Sequence, residues 1–183
     1  ERKHFTAAIM ASGSSPELFG LLHGLDSTCH LHITCLDPDL SALSNFGQRA
    51  AREKVTEQLT FVCDSALEGS AKGRRMRLPS QDFICAPVLT ERHSDAEMVR
   101  MLDETHANLL PDGQYAFGVM QLTPPAHFLA EFLLEWPVGQ WTQDELTALV
   151  SHSAFADDEL RFIPGKSEDH FLVSLRRIPP HAS

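Results

Sequence analysis

The sequence predicts an α/β fold: a doubly wound, mostly parallel seven-stranded sheet that closes with a C-terminal antiparallel hairpin. Three observations carry this expectation. Short apolar runs alternate with helical patterns from one end to the other, each bounded by Asp, Pro, Gly or Ser. The first apolar run passes through a Gly/Ser cluster directly into a helix start, the outline of a strand–loop–helix unit. The last two runs flank a tight turn. With 183 residues, 43% of them hydrophobic, and 11 Phe, one core suffices, and a single domain over residues 1–183 is expected.

In chain order, His4 to Met10 reads as the first strand. Ser14-Ser15-Pro16-Glu17 then offers a capping serine, a first-turn proline and a glutamate able to reach back, which starts a helix running to about Leu25. Leu31 to Leu36 is a second strand, ended by Asp37-Pro38-Asp39. Leu40, Leu43, Gly47, Ala50 and Ala51 form one stripe of a long helix. Leu59 to Cys63 is a third strand, ended by Asp64-Ser65, and Gln81 to Ala86 a fourth, ended by Pro87. Ser94-x-x-Glu97 is a capping box whose helix turns Met98, Met101, Leu102, Thr105 and Leu109 inward. Leu109 to Gly113 is expected to be a turn into a fifth strand, Gln114 to Met120. A helix bearing Phe128, Phe132, Leu133 and Trp136 follows Pro124-Pro125, and a second capping box, Thr142-x-x-Glu145, opens another. Strands near Glu159 to Ile163 and His170 to Arg177 close the chain, with Phe171, Val173 and Leu175 alternating as in a half-buried strand.

Charge and cysteine usage narrow the function classes. Lys plus Arg number 15 against 25 Asp plus Glu, a net charge of −10, which repels phosphate backbones and argues against a nucleic-acid partner. No apolar run approaches the about 18 residues of a membrane span. Cys29, Cys35, Cys63 and Cys85 lack metal-binding spacing, and three of them end apolar runs, so a reducing, cytoplasmic setting is expected. The chain begins at Glu1 rather than Met, and the expectation is that an upstream part has been removed.

A strand-order reversal beside the first strand would open a crevice over the carboxyl ends of strands one to four. The groups there are Ala11-Ser12-Gly13-Ser14, Asp37, Asp64-Ser65 and Cys85-Ala86-Pro87. Asp37 lies 24 residues past Gly13, near the about 20-residue spacing at which an acid meets a ribose in dinucleotide folds. Its carboxylate can accept from both ribose hydroxyls, and Asp64 is placed to meet an adenine amino group. The glycine signal alone is weak, and an ordinary strand-to-helix turn explains that loop equally well.

The combination of loop, acids and hairpin resembles the class I S-adenosylmethionine-dependent methyltransferases. Within them the chain most resembles the bacterial extracellular-factor 3-hydroxypalmitic acid methyl ester biosynthesis proteins. The stretches that carry the likeness are ASGSSPELFGLL, ITCLDPDLSAL, FVCDSA, DFICAP, NLLPDGQYAFG and FLLEWPVGQWTQDELTAL. The resemblance implies a Rossmann-like methyltransferase fold and S-adenosylmethionine as cofactor. Its methionine part would lie on Ala11, Ser12, Gly13 and Ser14, its ribose on Asp37 with Pro38, and its adenine between Asp64, Ser65 and Cys85, Ala86, Pro87. Two departures are visible: Ala11 stands where a glycine is usual, which implies strain if φ is positive there, and the helices usual before strand one are not seen. Cover for the site would then come from an N-terminal domain or a partner chain.

The implied reaction is O-methylation of a carboxylate on a small or fatty acid. A carboxylate is ionised at neutral pH (ordinary value about 4) and needs no general base. Glu91, His93, Trp136 and Trp141 are candidate substrate contacts; the aromatic residues are equally explained as core, and Glu91 and His93 as a solvated loop. The basic run Lys72 to Arg77 reads as a solvated loop or as a dock for an anionic partner. Pro164-Gly165-Lys166-Ser167 ends like a phosphate loop but lacks its glycine and helix, so it reads as a hairpin turn. His30 with His32 lacks a third metal ligand, Asp39 reads as a helix cap, and no metal is expected. The competing readings are a methyltransferase-like binding or regulatory module without catalysis and, disfavoured by the absent G-x-G-x-x-G, a nicotinamide-dependent oxidoreductase.

Overall fold

The computed structural model of the chain describes residues 4–12, 15, 17–25, 29–64, 78–87, 93–135, 140–166 and 170–179. Strand β1 (His4–Met10) leads to α1 (Glu17–Gly24), β2 (His30–Leu36), α2 (Leu40–Glu53), a 3-10 turn (Thr56–Gln58) and β3 (Leu59–Val62). Then come β4 (Gln81–Ala86), α3 (Asp95–Ala107), β5 (Leu109–Met120), a short helix α4 (Pro124–Phe128) running into a π turn (Leu129–Leu133), α5 (Gln143–Ser151), β6 (Glu159–Pro164) and β7 (His170–Arg176).

All seven strands join one sheet in the order β3-β2-β1-β4-β5-β7-β6. Strands β1 to β5 pair in parallel, and β7 runs antiparallel between β5 and β6. The expected mixed α/β sheet with its terminal hairpin is therefore present, and its order reverses between β1 and β4.

Caps fix the helix starts as their sequences imply. Asp39 Oδ1 accepts from Ser41 N at 2.8 Å and Ala42 N at 3.3 Å, satisfying first-turn donors of α2. The Glu97 carboxylate accepts from the Ser94 N–H at 2.8 Å and its hydroxyl at 2.7 Å, and Glu145 does the same for Thr142 at 2.8 and 2.9 Å. Those hydrogen bonds, the Ser94 hydroxyl foremost, hold the Glu97 carboxyl below its ordinary value.

Two apolar clusters sandwich the sheet. Leu18, Phe19 and Leu22 of α1 and Leu43, Phe46 and Ala50 of α2 pack on Ala7, Ile9, Ile33 and Cys35. Met98, Met101 and Leu102 of α3, with Leu146, Leu149 and Val150 of α5, pack on the other face against Ile84, Tyr115, Phe117 and Val173. The expected stripe of α2 holds at Leu43 and Ala50, which are buried, but not at its two ends. Leu40 is 67% exposed and Ala51 is exposed, because the helix rotates to seat Phe46 between Phe19 and Phe61.

The predicted turn at Leu109 to Gly113 is instead drawn into β5. Leu109 pairs with Gln81, and the next pair is Gln114 with Phe83, so the intervening residues form a bulge. Asp112 adopts φ 65°, its N–H donates to Arg177 O, and Arg177 N–H returns a bond to Gly113 O. A Cβ on Gly113 would stand 2.7 Å from Leu110 O, so the crowded bulge requires glycine.

Cover of the sheet is uneven. On the α1–α2 side the cluster reaches no further than Cys85 of β4. Beyond it, Phe83 (36%), Leu172 (41%) and Ile163 (45%) stay exposed, as does Phe5 (41%) on β1. Parallel strands are normally buried on both faces. Among the described residues, no helix is long and apolar enough to cross a membrane.

Candidate functional site

The strands themselves aim the site. The first two residues of β1 and β2's His30 and His32 are exposed, whereas Ala7–Met10 and Ile33–Leu36 are buried, so burial concentrates at the carboxyl ends. Helix α1 leaves β1 toward one face and α3 follows β4 on the other, which parts the chain over the β1–β4 boundary. That is the topological switch point of such sheets.

Ala11 makes the first turn beyond β1 with φ 50°, the strained state that its lack of glycine freedom implies. Ser12 N–H donates to Leu36 O at 3.1 Å, tying the loop to the end of β2. Ser12 is 3% exposed and its Oγ is buried without a partner. The Ser15 hydroxyl, also buried, donates to Ser12 O, and Leu18 N–H caps back onto Ser15 O at 3.1 Å. A pair of serines thus shapes this loop. Ser15, read in sequence only as part of a helix cap, turns out to close the loop on itself.

Asp37 is only 7% exposed. Its N–H donates to Val62 O at 3.2 Å, and its Oδ1 accepts from Asp39 N at 2.8 Å. Pro38 presents its carbonyl to Cys63 Sγ at 3.6 Å. Asp64 is exposed at the end of β3, with its N–H on Val62 O at 3.1 Å. Ser12, Asp37 and Asp64 therefore follow three adjacent strands, a span of about 10 Å at ordinary strand spacing. Across the switch point stand Cys85 and Pro87, half-buried, and Ala86, buried. His93 precedes the cap of α3 and carries a buried Nε2 without a partner. Gly13, Ser14, Ser65, Glu91, Trp136 and the run Lys72 to Arg77 lie outside the described residues.

Trp141 is 8% exposed, in the core under α3 and α5 with its Nε1 buried and unpartnered. It lines a cleft of about 710 Å³ between these helices rather than the β1–β4 crevice. Phe128 and Phe132 are neither core nor pocket wall at the switch point: they are 58% and 72% exposed.

The other sequence candidates are occupied by local structure. His30 stacks on His4 with ring centroids 4.9 Å apart, and His32 Nε2 meets Thr60 Oγ1 at 2.9 Å. Among the described residues no group of three or more His, Cys, Asp or Glu could hold a metal. The Pro164–Lys166 stretch turns β6 into β7, with Gly165 N–H on His170 O at 3.1 Å. All four cysteines are outside disulfides, and burial pushes the Cys35 thiol up to about 12. A His–carboxylate pair, His106 Nε2 to Asp158 Oδ2 at 3.1 Å, sits at the opposite, amino edge of the sheet. It joins residues far apart in sequence, and no local pattern announced it.

No protein-family model matches the chain, and no curated protein matches it. Solved structures do. A structure described as a possible exported protein from Bordetella parapertussis superposes with a TM-score of 0.78 at 17% identity, over 97% of this chain and 63% of that one. The mitomycin 7-O-methyltransferase MmcR gives 0.72 at 15% identity, over 94% and 49%. The S-adenosylmethionine-dependent methyltransferase SibL in its apo form gives 0.69 at 14% identity, over 96% and 51%. The chain thus spans about half to 63% of the length of these proteins. At such identities the likeness speaks for architecture, and with the β3-β2-β1-β4-β5-β7-β6 order it establishes that the chain has the Rossmann-like fold of methyltransferases.

Proposed function

We propose that the chain is an S-adenosylmethionine-dependent methyltransferase acting on oxygen, with a carboxylate of a small or fatty acid as acceptor. The observation that carries this reading is that Ser12 after β1 and Asp37 after β2 follow adjacent strands beside the switch point, tied by the 3.1 Å bond from Ser12 N–H to Leu36 O. The donor set suits the cofactor. A buried serine hydroxyl without a partner and an almost fully buried acid one strand away match a ligand with a zwitterionic end and a ribose.

In this reading Ser12, with Ala11, Gly13 and Ser14, takes the methionine part. Asp37 with Pro38 takes the ribose, and Asp64, Ser65, Cys85, Ala86 and Pro87 flank the adenine. Bound S-adenosylmethionine supplies an electrophilic methyl group on a sulfonium. The protein's task is then to hold the acceptor oxygen in line and keep water out. His93, whose buried Nε2 lacks a partner, orients the acceptor, with Glu91 and Trp136 as its further contacts. A carboxylate acceptor needs no proton removed, and the His106–Asp158 pair at the far edge serves no such role. Residues 1–183 act as one domain whose open sheet face and crevice receive cover from further polypeptide or a partner chain. Four cysteines outside disulfides suit a reducing, cytoplasmic compartment.

A second reading, a binding or regulatory module without catalysis, draws on the strained Ala11. Calorimetry with S-adenosylmethionine separates the two. Saturable binding, weakened by about 1–3 kcal/mol in Asp37→Ala, is expected for a lost charge-assisted hydrogen bond. Unchanged affinity in that variant puts the ribose elsewhere, and no saturable binding by the unaltered chain removes the enzymatic reading. Release of S-adenosylhomocysteine with a panel of carboxylic acids then identifies the acceptor.

A further inference from the structure

The segment after β5 is amphipathic in the reverse sense. Its small residues face the protein, with Ala130 4% exposed and Ala126 half-buried. Its large apolar residues face water: Phe128 (58%), Leu129 (50%), Phe132 (72%), Leu133 (72%) and Leu134 (66%). The Phe128 and Phe132 rings stack on each other at 4.7 Å, forming one platform. A helix on a monomer surface normally turns its apolar stripe inward. Together these five side chains expose on the order of 600 Å², with the stacked Phe128 and Phe132 at its centre, against the largest apolar patches of about 300–600 Å² on monomers.

We infer that this platform is a self-association surface, on which α4 and its π turn dock antiparallel against the same segment of a second copy. Charge selects against an anionic bilayer. Residues 121–135 contain no Lys or Arg, carry Glu131 and Glu135, and belong to a chain of net charge −10, whereas helices that lie on membranes present a basic rim. Area fits a reversible dimer. Two copies bury about 1,200 Å² in total, the lower bound for specific interfaces. The rim is self-complementary as well. A two-fold pairing that sets Phe128 on Phe132 of the second copy, and the reverse, brings His127 beside the second copy's Glu131. Each copy already pairs these two groups internally at 3.5 Å, so the dimer can exchange or share the contact without leaving a charge buried alone.

This inference does not depend on the catalytic reading. Sedimentation velocity of the full-length chain from about 1 to 100 µM, the range that brackets a reversible interface of this size, is expected to show a monomer–dimer equilibrium. Phe132→Glu should raise the dissociation constant at least about tenfold while leaving far-UV circular dichroism, and thermal unfolding compared at concentrations where both proteins are monomeric, unchanged, because the side chain is 72% exposed. Phe128→Ser should act in the same direction. A monomer over the whole range, or dimers that both variants leave intact, overturns the inference. Co-sedimentation of a monomeric chain with neutral phosphatidylcholine vesicles, lost in Phe132→Glu, would overturn it in favour of a lipid surface.

Discussion

Ala11→Gly is expected to make the protein more stable, although it deletes a methyl group next to the candidate site. Ala11 sits at φ 50°, where contact between Cβ and the backbone costs an L-residue about 1–2 kcal/mol. Glycine removes that cost but adds freedom to the unfolded chain, which takes back about 0.4–1 kcal/mol. The methyl group itself is exposed, so no core contact is lost. The net gain is about 0.5–1 kcal/mol, a rise of about 1–4 °C in Tm for a chain of this length. Urea unfolding followed by circular dichroism measures it, with Ala8→Gly as the control. Ala8 is fully buried inside β1 and has no positive φ to relieve, so its variant must lose stability. If Ala11→Gly is no more stable than the parent, strain at the first loop is not what distinguishes this chain from one carrying glycine.

Two further outcomes follow from buried polar groups. The Tyr115 hydroxyl is fully buried without a hydrogen-bond partner, and burial drives its pKa upward. Tyr115→Phe should therefore raise stability by about 1 kcal/mol in the same unfolding assay, and a loss would mean the hydroxyl is bonded. His106 is held below its ordinary value, by burial first and then by Arg177, with Asp158 pulling the other way. The unfolded chain thus binds this proton more readily. The contribution of His106 is complete above about pH 6.5 and is lost as pH falls through the folded value. Unfolding free energy measured from pH 7.5 to 5 should fall less steeply in His106→Gln, and an identical slope refutes the assignment.

Much of this molecule is written locally in its residues. Both capping boxes, the Asp39 cap, the strands from His4 to Ala86 and the acids ending β2 and β3 depend on backbone periodicity and on bonds between residues two to four apart, so a window of sequence contains them whole. The placing of the candidate residues was legible for the same reason: in a parallel sheet every strand's carboxyl end reaches one edge, and Ser12, Asp37 and Asp64 each lie within two residues past a strand, while Cys85 is the last residue but one of β4. What depended on neighbours distant in sequence was not legible. Seating Phe46 against Phe61 left Leu43 and Ala50 of the α2 stripe inside but turned Leu40 and Ala51 outward, and Arg177 drew Leu109 to Gly113 into a bulge rather than a turn. The outward-facing Phe128 and Phe132 are the sharpest case. Periodicity tells which residues share a helix face, but only packing against the rest of the chain decides whether that face meets core or water.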